Sequence, residues 1–253
     1  MKTDDEFFIG WQGRLPRRTG RRLLGLAVAL AAGSAAVAVG FAAWQRTIGA
    51  ARWDYGVERE FAGVMLADPV PMLLVGRPEP ESGAQAFLLV NVNKHGFDPR
   101  EARAAEGQQV RLRASLLYRD HHAVLEVVPD SLAVVNPGAA PASLPAVADL
   151  GEHVLRGEIV DSKCYLGAMN PGVLKPHRAC AILCLSGGVP PLLLVRHADG
   201  GATLYLLAGA QGEDVTSEVL DFVAEPVEVR GRVQRLGDQL LLRIQPGAVQ
   251  RLP

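Results

Sequence analysis

VRLRASLLYRDHHAVLEVVPDSLAVV (Val110–Val135) and VEVRGRVQRLGDQLLLRIQPGAVQRL (Val227–Leu252) align without a gap. Arg113 falls on Arg230, Pro129 falls on Pro246, and most apolar positions coincide. Each copy reads as two strands around a tight turn, which is Arg119–His122 in the first. Upstream, VPMLLV (Val70–Val75) matches VPPLLLV (Val189–Val195), and FLLVNVNKHG (Phe87–Gly96) matches TLYLLAGAQG (Thr203–Gly212). Between these runs the first copy carries a helix start, with Asp98 as N-cap, Pro99 as first helical residue and Glu101 as reciprocal capping partner. Gly107 ends that helix, and Asp214–Ala224 takes its place in the second copy. The chain therefore repeats one small β-domain.

The order in each copy is three strands, a helix and two strands. It resembles the OB-fold, a five-stranded Greek-key barrel with a helix between its third and fourth strands; an SH3-like barrel is the alternative. The resemblance implies a mainly β chain with tandem OB-like domains at 53–135 and 150–253. Residues 136–149 form a Pro/Ala linker without strand or helix period.

The copies differ at one point. Between its first two strands the first copy has a short Asp-Pro turn, whereas the second has a long insertion, 161–189, within DSKCYLGAMNPGVLKPHRACAILCLSGGVPP (Asp161–Pro191). Long loops on a rigid scaffold are commonly functional. This one holds all three cysteines, Cys164, Cys180 and Cys184. The first copy, lacking such a loop, reads as a spacer or docking domain.

If Pro176–Leu185 is helical, His177, Cys180 and Cys184 share one face at i, i+3 and i+7. Cys164 returning from the other side completes a Cys₃His set, which suits zinc, copper or an iron–sulfur cluster. The alternative is a disulfide of Cys164 with Cys180 or Cys184, leaving one free thiol. A thiol redox role is the third reading. Asp161 and Lys163 flank Cys164 as accessory groups, with Lys163 either lowering its thiol pKa or facing solvent. Met169 is a soft thioether within reach. His121 and His122, on a turn, read as solvated.

Leu23–Trp44 contains no charged residue, and its 22 residues give roughly 33 Å of helix, enough for a hydrocarbon core of about 30 Å. Arg14, Arg17, Arg18, Arg21 and Arg22 precede it, and only Arg46 and Arg52 follow closely. The positive-inside rule then places a tail, 1–22, in the cytoplasm and everything after Trp44 in the periplasm or an equivalent space. A cleaved signal peptide is the competing reading, against which the run is long and lacks a clear cleavage box. Ala29, Gly33 and Val37 share a helix face narrow enough for a neighbouring helix, as do Ala36 and Gly40. Phe7, Phe8, Ile9 and Trp11 cluster in the tail, suited to the inner membrane surface or a partner subunit.

The net charge of −1 and the 49% hydrophobic content describe a folded protein without the basic excess of a nucleic-acid binder. There is no Walker loop, dinucleotide fingerprint, G-x-S-x-G, H-E-x-x-H or C-x-x-C-H. A nucleotide-dependent enzyme or a hydrolase is not expected, and the reading favours a non-catalytic protein.

Asp161, Cys164, Tyr165, Leu166, His177, Cys180, Ala181, Cys184, Gly187, Gly188, Pro190 and Pro191 form D-x-x-C-Y-L…H-x-x-C-A-x-x-C-x-x-G-G-x-P-P. This motif resembles one found in bacterial membrane-anchored envelope proteins. The Cys180-x-x-x-Cys184 spacing alone is similar to the copper-binding pair of cytochrome oxidase copper chaperones and of that oxidase's binuclear copper subunit, but His177 lies upstream of it here. The EFFIGW tail resembles N-termini of small subunits that accompany Rieske-type and cytochrome b-type redox proteins. Together these resemblances imply an accessory subunit of a membrane redox complex, with other membrane-protein subunits as partners. The alternative is a structural or assembly module with a stapled loop.

Overall fold

The computed structural model describes residues 15–46, 51–76, 84–135, 137 and 144–252. The aromatic cluster of the N-terminal tail and half of the linker lie outside these residues. Helix α1 spans Arg17–Arg46, starting earlier than the apolar run because arginine is itself a good helix former. It is long and apolar enough to cross a membrane, its mean hydropathy reaching 2.1. Ala50–Pro253 is a separate compact unit.

That unit is mainly β and contains two sheets, each closed through a circuit of five strands. The first comprises β1 (Arg52–Trp53), β2 (Arg59–Leu66), β3 (Met72–Gly76), β4 (Ala84–Val90), β5 (Gln109–Arg119), β6 (His122–Val127) and β7 (Ala133–Val134). Its circuit runs β2-β3-β4-β6-β5 and back to β2, with only β4 and β6 parallel. Helix α2 (Pro99–Ala104) lies between β4 and β5, with the Asp98 carboxylate accepting from the Arg100 N–H as its cap.

The second sheet comprises β8 (Ala148–Asp161), β9 (Pro191–Arg196), β10 (Ala202–Gly209), β11 (Pro226–Leu236), β12 (Gln239–Ile244) and β13 (Val249–Arg251). Its circuit is β8-β9-β10-β12-β11 and back to β8, again with one parallel pair, β10 and β12. The repeated segments give strands of equal length: β5 and β11 have 11 residues each, and β6 and β12 have 6. Strand β8 begins at Ala148, two residues before the expected boundary at Leu150, because Ala148 and Asp149 pair with Arg235 and Gln234. A short helix, α4 (Thr216–Val219), occupies the position of α2.

Gly63 and Gly157 hold matching places in β2 and β8, opposite Val110 and Val227. At each, a Cβ would lie within 2.4 Å of a carbonyl oxygen of the next strand, so only glycine lets the barrel close there.

Three apolar clusters organise the unit. One fills the first barrel around Leu73, Leu89, Leu112 and Leu125. A second fills the other barrel around Ile159, Leu193, Leu207 and Leu242. The third lies between the barrels. There Met72, Leu74, Leu88 and Val90 of the first meet Leu192, Leu194, Leu204 and Leu206 of the second. Strands β3 and β9 are thus buried on both faces, which is why they read as unbroken apolar runs rather than alternating ones.

Main-chain contact tightens this junction. The Gly96 N–H donates to the Gly187 carbonyl at 2.9 Å. A Cβ on Gly96 would sit 1.9 Å from the Gly188 oxygen, and one on Gly187 would sit 1.9 Å from the Lys94 oxygen. On another side of the junction, His122 is packed with Ala86, Leu166, Leu192 and Leu204. Whereas His121 is exposed as its turn position suggested, His122 is half-buried rather than solvated. Burial first, then His121 beside it, depresses its pKa to about 4.

Two outcomes are expected. Gly96→Ala will lower the unfolding free energy by about 1–3 kcal/mol in chemical denaturation, whereas Gly76→Ala, where a Cβ meets nothing within 4 Å, will be neutral. For His122 the folded pKa lies below the unfolded value, so its contribution is complete above about pH 6.5 and is lost as pH falls towards 4. His122→Phe will flatten that part of the stability–pH curve, which urea titrations at stepped pH will read out.

Candidate functional site

The insertion leaves β8 at Asp161 and returns at Pro191, which pair directly across the sheet. The Ser162 N–H donates to the Pro190 carbonyl at 3.1 Å, so the loop closes on itself. The chain first makes a single π-helical turn, Cys164–Ala168, and then helix α3, Leu174–Ser186. The Asp161 carboxylate caps that turn, its Oδ1 accepting from the Cys164 N–H at 2.8 Å. Glu158 of β8 serves α3 in the same way by accepting from the Leu174 N–H. His177, Cys180 and Cys184 all lie on α3, within the expected helical span.

The loop packs between the barrels. Cys164, Tyr165, Leu166 and Cys184 belong to the shared apolar cluster. The three sulfurs lie within 4.8 Å of one another, with Cys164–Cys184 at 3.7 Å and Cys164–Cys180 at 3.9 Å. All three are free thiols. Sulfurs bound to one ion at 2.3 Å stand roughly 3.8–4.0 Å apart in tetrahedral or trigonal geometry, so the three sulfurs are spaced such that one ion could be held between them. A disulfide would need them near 2.05 Å.

His177 does not join all three sulfurs. Its Nε2 is 3.0 Å from Asp161 Oδ2, and the two residues form a second close group with Cys164. Asp161 is fully buried and His177 nearly so. The five residues thus fall into two sets that share Cys164. Met169 is half exposed and lines a cavity of about 750 Å³ onto which Cys164, Cys180 and Cys184 also open.

The first barrel, expected to be a spacer or docking domain, contributes a side chain directly to the site. Lys94, in the loop after β4, places Nζ 2.8 Å from Cys180 Sγ and 3.8 Å from Cys184 Sγ. Its pKa is raised, chiefly by the bond to Cys180. The bond to Cys184, burial and neighbouring Asp161 raise the Cys164 thiol. The Cys184 thiol is lowered, first by its contact with Cys164 and then by the Lys94 charge, with burial and Asp161 opposing.

Lys163 neither faces solvent nor serves as the cation of the thiols. It is buried, donating to the carbonyls of Asn91 at 2.8 Å and Asn93 at 2.7 Å and pairing with Glu126. It therefore ties the cysteine loop to the first barrel. Arg119 adds a second tie, its Nε donating to the Tyr165 carbonyl at 2.9 Å and its guanidinium lying over the Tyr165 ring. Lys94, Glu126 and Arg119 carried no signal in the sequence, since each lies in a barrel without cysteines.

Lys163→Met will cost about 3–5 kcal/mol of stability, because Glu126 is left buried without its cation. Adding Glu126→Leu will recover part of the loss. Denaturation of both variants will show the difference; equal losses would mean that the pair does not hold the junction.

A scan of protein-family models, a search of curated proteins and a search of solved structures each gave no match to this chain.

Proposed function

We propose that the protein is a membrane-anchored accessory subunit of a redox complex that holds a soft or borderline metal ion through Cys164, Cys180 and Cys184. The observation that carries this reading is the separation of the three sulfurs, two buried and that of Cys180 half-buried, at 3.7 and 3.9 Å for the two pairs made by Cys164. Zinc and copper(I) both suit three thiolates. A fourth position faces the cavity, where Met169 and His95 lie and a ligand or partner group has access. His177 acts beside this set through Cys164 and Asp161. Lys94 offsets the negative charge of the thiolates.

The remaining parts of the proposal rest on other features. Each sheet circuit, with its third and fifth strands parallel and a helix before the fourth, supports assignment of both barrels as OB-folds. The arginines before α1 support an N-terminus in the cytoplasm and barrels in the periplasm or an equivalent space. Small residues along α1 suit contact with another membrane subunit. An electron carrier reaching the cavity would meet the thiolate site through its open side.

The test is elemental analysis with thiol counting on the full chain purified in detergent. The expected result is bound zinc or copper with no disulfide, and loss of that metal in Cys184→Ser while the barrels remain folded by circular dichroism. A metal-free protein with two cysteines oxidised would replace this reading with a loop stapled by a disulfide.

A further inference from the structure

Resting on the proposed thiolate site, we infer that the loop holds two metal ions rather than one, the second bound by Asp161 and His177 and joined to the first through the Cys164 thiolate. Asp161, Cys164 and His177 present ligand atoms within 4.8 Å of one another, and all three are buried. The Asp161 Oδ2 to His177 Nε2 separation is 3.0 Å. Two such atoms at 2.0–2.2 Å from a common ion stand roughly 2.9–3.5 Å apart. An ion can therefore take the place of the proton between them with little movement of either side chain. Cys164 is the one residue common to both sets, and a thiolate has the lone pairs to bridge two cations.

Charge points the same way. Three thiolates and the Asp161 carboxylate place four negative charges in one buried patch. A single divalent ion with the Lys94 ammonium leaves one anion over, offset only by a proton held between Asp161 and His177, which a second ion would displace. Lys163 does not correct it, being paired with Glu126. Two divalent ions balance the four anions, and Lys94 then serves as a hydrogen-bond donor to Cys180 at the rim.

The scaffold suits such a centre. Asp161 is the last residue of β8, Cys164 begins the turn that Asp161 caps, and His177 sits on the first turns of α3. A strand end, a capped turn and a helix thus fix the second set, which shares Cys164 and helix α3 with the first but whose Asp161 and His177 ligands are its own. The two sets can be emptied separately by substitution.

The experiment is titration of the full chain in detergent with zinc alone, under reducing, anaerobic conditions, with stoichiometry read by competition against a chromophoric chelator. Two equivalents are expected for the wild type and one for His177→Gln. Asp161→Asn gives a second route to the same loss. Cobalt substituted for zinc will keep its thiolate charge-transfer absorption in His177→Gln, which reports that the sulfur set remains intact. One equivalent in the wild type, unchanged in His177→Gln, overturns the second site and leaves the thiolate reading standing. Two equivalents retained in both variants also overturn it, because the second ion then lies elsewhere. Zero equivalents in the wild type overturns both readings.

Discussion

Burial of the outer faces of two barrels against each other is the constraint from which the rest follows. An isolated barrel of this kind keeps its interior apolar and its outside wet. Here Met72, Leu74 and Leu88 on one barrel, and Leu192, Leu194 and Leu204 on the other, turn outward into a common core. Each such leucine or methionine taken out of water contributes on the order of 1.5–3 kcal/mol. The cysteine loop lies within this core, with Cys164, Tyr165 and Cys184 among its buried members. The same packing that joins the barrels therefore desolvates the thiols and fixes their spacing.

Desolvation gives the charged groups at the junction their importance. Away from bulk water, an ammonium near a carboxylate acts with little screening, as Lys163 does beside Glu126. Two lysines divide the work. Lys94 reaches from the first barrel to Cys180 and Cys184, whereas Lys163 reaches from the loop back to Asn91, Asn93 and Glu126. The loop between β4 and α2 is consequently clasped from both directions, and the Gly96–Gly187 backbone contact sets how closely the two chains approach. Chemistry at the thiols and association of the barrels are linked through these few atoms.

Much of the architecture was legible in the sequence because an ungapped repeat preserves strand lengths. The segments around Val110–Val135 and Val227–Leu252 do become matching strand pairs, with Gly63 and Gly157 at equivalent points of barrel closure. The insertion and its helix were legible too, since His177, Cys180 and Cys184 fit one helical face. What escaped was the tertiary relation between the copies. Its trace was present in Met72–Leu74 and Leu192–Leu194, where unbroken apolar runs mark strands buried on both sides. The partners Lys94 and Glu126 were not legible, because a charged residue on a loop or strand looks solvated until the facing domain is known. The sequence also suggested one Cys₃His set. Capping of the turn by Asp161 instead draws His177 towards the carboxylate, away from Cys180 and Cys184.

The central claim is that sulfur from this loop binds the metal, and X-ray absorption at the metal edge of the purified full chain tests it most directly. The account predicts a shell of sulfur scatterers at about 2.3 Å, the distance of a thiolate bound to zinc. A shell made only of nitrogen and oxygen at about 2.0–2.1 Å would contradict it.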